Sequence, residues 1–118
     1  MRKNDYDEFE LKFFERLLKA NPHFVDAMHP LAEAYTRKGL YEKGLEIDRR
    51  LSKLCPGDPI VHYNLACSLA LVGSKEESLN VLKTSIKMGY RDFHHMQRDP
   101  DLKSLREDPR FQKLTKKS

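Results

Sequence analysis

His94 and His95 stand side by side, and imidazole is the commonest metal-binding side chain of proteins. Adjacent residues on a helix diverge by about 100°, so the two could share one ion only with help from His62, Asp92 or Cys67. No pair of histidines has the three- or four-residue spacing that sets two ligands on one helical face. Surface histidines are the simpler account, and no metal site is expected. Cys67 beside His62 or His94 would make a thiol–imidazole pair capable of nucleophilic attack. Nothing else in the sequence orients such an imidazole, whereas a packed thiol on a helix is common. The 5 glycines are dispersed at turns, so no phosphate-cradling loop is present. The expectation is therefore a protein that is not an enzyme and holds no cofactor. Cys55 and Cys67 are the 2 cysteines and form no CxxC motif; they are expected to be free and partly buried.

The formal net charge of +4 gives a mild preference for acidic surfaces. Arg37, Lys38, Lys43, Arg49, Arg50 and Lys53 could form a basic strip, and Lys113, Lys116 and Lys117 a second. The aromatic residues fall on apparent core positions, which leaves few platforms for stacking bases, so nucleic acid is not the expected partner. Charged residues make up 34% of the 118 residues, mean hydropathy is −0.73, and apolar runs are only a few residues long. No segment can span a bilayer, and a membrane partner is not expected. Residues 1–5 lead into an acidic stretch without an apolar core, so no signal peptide is read there and the expected location is cytoplasmic.

The elements that would position these groups are helices. From about Asp5 to Ala20, Phe9, Phe13, Phe14, Leu17 and Leu18 recur at helical spacing, and Asn21-Pro22 ends the run. A second helix is predicted over about 25–38, stopped by Gly39. Pro30 lies inside it and should cause a kink or a late start near Met28. Tyr41 to Leu54 reads as a third helix, closed by Cys55-Pro56-Gly57. Asp58-Pro59 starts a fourth, ending before Gly73. Ser74 to Glu77 reads as a capping box that opens a fifth helix, which Gly89 terminates. Asp99-Pro100 and Asp108-Pro109 repeat the Asp-then-Pro start. The tail is thus expected to be short helices burying Phe93, Met96, Leu102, Leu105, Phe111 and Leu114.

The second and third helices repeat in the fourth and fifth. Leu31-Ala32 recurs 34 residues later as Leu65-Ala66, Gly39 as Gly73, Ile47 as Val81, and Pro22 as Pro56. A fixed period of this size marks stacked supersecondary units that cannot bury their apolar faces alone. With Met28, Leu31, Ala32, Tyr35, Gly39, Gly44 and Pro56, followed by Leu65, Ala66, Leu69, Gly73, Ser78, Leu82 and Ser85, the chain resembles the tetratricopeptide repeat family. Departures are His62 and Asp48 at positions where aromatic residues are common, and Pro30. The resemblance implies an all-α fold, a right-handed superhelix of antiparallel helix pairs in one domain. It would comprise a half repeat over 5–22, full repeats over 25–58 and 59–92, and capping helices over 93–118.

The same resemblance implies a protein-interaction adaptor whose first helices line a concave groove for a partner peptide or helix. By helical phase that groove would carry Asp26, His29, Glu33, Thr36 and Arg37 from one repeat. Ile60, Tyr63, Asn64, Cys67, Ala70 and Leu71 would follow from the next, with His94 and Arg98 at the far end. An apolar anchor of the partner would sit near Tyr63, Cys67 and Leu71, unless the C-terminal helices cover those residues. A subgroup of the family grips the acidic tails of chaperones. Asn64 and Arg98 match its clamp, His29 and His94 stand where Lys is expected, and Glu33 would repel the peptide's carboxylate. The alternative function is self-assembly into a dimer or larger oligomer.

Overall fold

The computed structural model describes residues 3–116, with side chains from Asp7 onward. All regular structure among them is helical. The chain divides after Cys55 into two compact units.

The first unit holds α1 (Lys3–Ala20), α2 (Val25–Arg37) and α3 (Tyr41–Leu54). Leu11 and Leu18 of α1, Met28, Leu31 and Ala34 of α2, and Leu45, Ile47 and Leu51 of α3 are buried. Burial on α1 follows Leu11, Phe14 and Leu18 rather than the expected Phe9 and Phe13, which are 63% and 47% exposed. The reason is phase: Leu11, Phe14 and Leu18 share one side of the helix, and Phe9 and Phe13 lie across from it. Three polar links fasten α1 to the end of α2. The Tyr35 hydroxyl donates to Glu15 at 2.6 Å, Arg37 to Glu10 at 3.0 Å, and Lys38 to Glu8 at 2.5 Å.

Pro30 does not delay α2, which is helical from Val25 onward. Proline cannot donate a hydrogen bond to the carbonyl of Asp26, yet the helix runs through it to Arg37.

The second unit begins with α4 (Pro59–Leu71) and α5 (Lys75–Lys87). It continues through α6 (Phe93–Arg98), a 3-10 helix (Pro100–Leu105) and α7 (Pro109–Thr115). Asp58, Asp99 and Asp108 each cap a helix that opens with proline, as expected. Asp92 adds a cap on α6 by accepting from the His95 N–H. The capping box at Ser74 is not formed as expected: Ser74 is the residue before α5, yet its hydroxyl caps no backbone donor. Backbone bonds from the preceding turn hold that junction instead, with Ser74 N–H donating to the Leu69 carbonyl at 2.9 Å.

Each unit contains a helical hairpin built to one plan. Both α2 and α4 are 13 residues long and start 34 residues apart. Gly39 and Gly73 follow them with φ of 77° and 86°, a left-handed turn that side chains disfavour. Leu40 N–H donates to the Tyr35 carbonyl just as Ser74 N–H donates to that of Leu69. Three-residue turns bring the next helix back antiparallel, and close approach is possible because the facing residues are small. A Cβ on Gly44 would lie 3.2 Å from the Thr36 hydroxyl and 3.5 Å from the Ala32 carbonyl. In the other hairpin Ser78 has that position, and its hydroxyl donates to the Ala66 carbonyl at 2.6 Å.

Candidate functional site

The α4 face that carries Tyr63, Cys67 and Ala70 is not an open groove. These residues are buried in one cluster with Met96, Leu102, Leu105 and Phe111, so the chain's own C-terminal segment covers them. The physical cause is apolar area: removing such side chains from water stabilises by about 25 cal/mol per Å², and the tail supplies matching side chains within the same unit.

Asp99 fastens this cover. Its side chain, on a residue only 8% exposed, uses one oxygen to cap the 3-10 helix through the Asp101 N–H at 3.0 Å. The other oxygen accepts the Tyr63 hydroxyl at 2.7 Å and the Cys67 thiol at 3.7 Å, and His95 Nε2 lies 3.2 Å from it. The Tyr63 ring stacks on Tyr90 with centroids 4.2 Å apart. Arg106 adds a bond to the Asp99 carbonyl at 3.1 Å. Burial raises the pKa of the Tyr63 hydroxyl, and neighbouring Cys67 and Asp99 add to the effect. Burial likewise raises that of the Cys67 thiol, with the charges of Asp99 and Asp101 acting in the same direction. Both groups therefore stay protonated and serve as donors to Asp99.

Cys67, Asp99 and Asp101 bring three potential ligand atoms within 4.8 Å of one another. A cation there would compete with Tyr63 and His95 for the same Asp99 oxygen and would need a thiolate that its surroundings disfavour. The arrangement acts chemically as a hydrogen-bonded latch. His95 is the histidine that reaches it. His94 is exposed, and His62 instead donates from Nε2 to the Pro56 carbonyl at 2.8 Å.

The other expected groove residues separate into distinct settings. Ile60 is 56% exposed, Asn64 and Leu71 are half-buried, and Arg98 is exposed. Asp26 and Glu33 are exposed on α2, with His29 half-buried between them. Thr36 is turned inward, donating to the Ala32 carbonyl at 3.0 Å and facing Gly44. Arg37 is committed to α1 through Glu10 and Asp7. Thr36, Arg37, Tyr63, Cys67 and Ala70 are thus withdrawn from the expected groove by contacts within their own units. The expected basic strip is also broken up: Lys38 pairs with Glu8, Lys43 lies over the Tyr35 ring, and Arg50 donates to the Pro22 carbonyl. Lys117 of the second strip lies outside the described residues. Both cysteines are free, Cys67 buried and Cys55 half-buried.

Sequence reading missed Asp99 as a tertiary acceptor, because Asp before Pro already has a sufficient local reason as a helix cap. It also missed the outward placement of Phe9 and Phe13, although Leu11 and Leu18 carry the signal for the opposite face.

No family model matches the chain. Over 85 residues, 70% of its length, the chain is 33% identical to a chloroplastic protein of Arabidopsis thaliana. The match covers 25% of that protein, so the chain spans about a quarter of the relative's length. No helix among the described residues is long and apolar enough to cross a membrane.

Proposed function

We propose that this chain is a tetratricopeptide-type interaction module that docks a basic segment of another protein on the outer face of α2. The observation that carries the reading is a difference between the two like hairpins. The positions that α4 buries beneath the C-terminal segment, Tyr63 and Cys67, correspond 34 residues earlier to half-buried His29 and exposed Glu33. Glu33 and Asp26 give that open face negative charge, which favours lysine- or arginine-bearing partners over acidic chaperone tails. The repeat period, the matching glycine turns and the small-residue contacts at Gly44 and Ser78 support a repeat scaffold; such scaffolds work by binding. On this reading the C-terminal segment holds, on α4, the place a partner takes on α2.

The test is affinity capture from a native lysate with the wild-type chain and with Asp26→Lys/Glu33→Lys, followed by direct titration of the recovered protein. A partner lost from the variant and recovered by wild type supports α2 docking. Equal recovery on both baits refutes it, and a stable dimer in light scattering favours self-assembly. The proposed compartment is the cytoplasm, the simplest one that keeps Cys55 and Cys67 reduced. A fluorescent fusion that accumulated in a plastid, in line with the relative's chloroplastic name, would overturn that placement.

A further inference from the structure

The outer face of α1 is a second, unassigned surface, independent of the α2 reading. Phe9 and Phe13 lie one turn apart with parallel rings, 5° between planes and 6.5 Å between centroids, while 63% and 47% exposed. Phe14 packs edge-on against Phe13 at 5.2 Å. Large exposed aromatic side chains that already hold one another in a fixed arrangement lose little freedom when a partner covers them.

Charge on α1 is segregated about this ledge. The acidic side chains Asp7, Glu8, Glu10 and Glu15 are drawn to Arg37, Lys38 and Tyr35 on the α2 side. Lys12, Arg16 and Lys19, spaced four and three residues apart, run along one edge of the aromatic pair. All three are exposed. Glu8, the carboxylate one turn from Lys12, is bonded by the Lys38 ammonium; that bond, and to a smaller extent the charge of Lys12, holds its pKa below the usual value. The result is an apolar strip bordered by a row of exposed cations.

We propose that this face docks an acidic amphipathic helix of a partner protein, whose apolar side chains cover Phe9 and Phe13 while its carboxylates pair with Lys12, Arg16 and Lys19. A helix fits better than an extended segment, because both the aromatic pair and the cations repeat with the helical spacing that a parallel or antiparallel helix presents.

The probe is a labelled synthetic helix with a leucine stripe flanked by glutamates, and a counterpart in which lysines replace the glutamates. Each is titrated by fluorescence anisotropy against the full chain. Phe9→Ser/Phe13→Ser is expected to weaken the acidic probe at least about tenfold, with circular dichroism unchanged because both rings are exposed. Lys12→Glu/Arg16→Glu/Lys19→Glu is expected to invert the preference, so that the lysine probe binds more tightly than the glutamate one. The inversion would not follow from misfolding, which can only remove binding. Equal affinity for both probes, no binding up to about 1 mM, or an unchanged affinity in the Phe variant would overturn the proposal. So would a face that ignores both peptides and binds phosphatidylserine vesicles, or one that is masked by dimerisation at working concentration.

Discussion

Replacing Tyr63 with Phe removes one hydroxyl and leaves the ring that stacks on Tyr90 in place. The lost bond is a 2.7 Å contact to a buried carboxylate. Hydrogen bonds to charged groups contribute roughly 1.5–3 kcal/mol, so the expected loss is about 2 kcal/mol. For a cooperative unit of this size that corresponds to a fall in Tm of roughly 8–16 °C. Asp99 keeps His95, the Cys67 thiol and the Asp101 N–H, which argues against complete unfolding. Urea melts followed by circular dichroism measure the change, and tyrosine fluorescence supplies a second probe because the chain has no Trp. The decisive step is a double-mutant cycle with Asp99→Asn, in which the two changes should be coupled by about 1 kcal/mol or more. Hydrogen exchange should place the loosening in α6, the 3-10 helix and α7, ahead of the α4–α5 hairpin. A Tyr63→Phe loss below about 0.5 kcal/mol, or the same loss with and without the Asp99 carboxylate, would refute the latch.

Asp101 has its pKa raised by burial first and by the Asp99 charge second. A raised folded-state pKa favours the protonated form, so this group's stabilisation is full at acid pH and disappears as pH rises through that value. Asp101→Asn should therefore raise the urea midpoint at neutral pH, with the difference shrinking on acidification below the ordinary carboxylate range. Asp108 behaves oppositely: its hydrogen bonds to Arg110 hold its pKa at about 2. Its contribution is present above the ordinary Asp value and is lost as pH falls toward about 2; Asp108→Asn should flatten that acid limb of the stability curve. Ser78→Ala, which removes a buried hydroxyl bonded to the Ala66 carbonyl, should lower stability by about 1 kcal/mol in the same melts. Cys55 should react with iodoacetamide much faster than Cys67 in the native protein, and mass spectrometry of peptides resolves the two; equal rates would contradict the burial that raises the Cys67 pKa.

Local signals in the sequence were enough to determine the helices and where they stop. Gly39, Gly73 and Gly89 mark left-handed turns because other residues pay a steric penalty there. Asp58, Asp99 and Asp108 cap because an Asp oxygen reaches backbone donors two or three residues on. The 34-residue recurrence of small and apolar residues likewise carried the likeness of the two hairpins, down to Gly44 and Ser78. Which residues remain available was decided only by tertiary structure. Tyr63 and Cys67 look like groove residues until the tail contributes Met96, Leu102 and Leu105 to the same cluster. Arg37 looks free until Glu10 meets it from another helix. Pro30 argues for a kink or a late start, but α2 is already helical from Val25 and continues through it. Phe9 and Phe13 fit a core stripe as well as Leu11 and Leu18 do, and the choice between the two faces is made by what α2 presents to them. Capping and turn formation act over a few residues and leave a local trace. Burial, ion pairing across helices and the convergence of the Tyr63 and Cys67 donors on Asp99 depend on chain segments far apart in sequence, whose meeting no local pattern records.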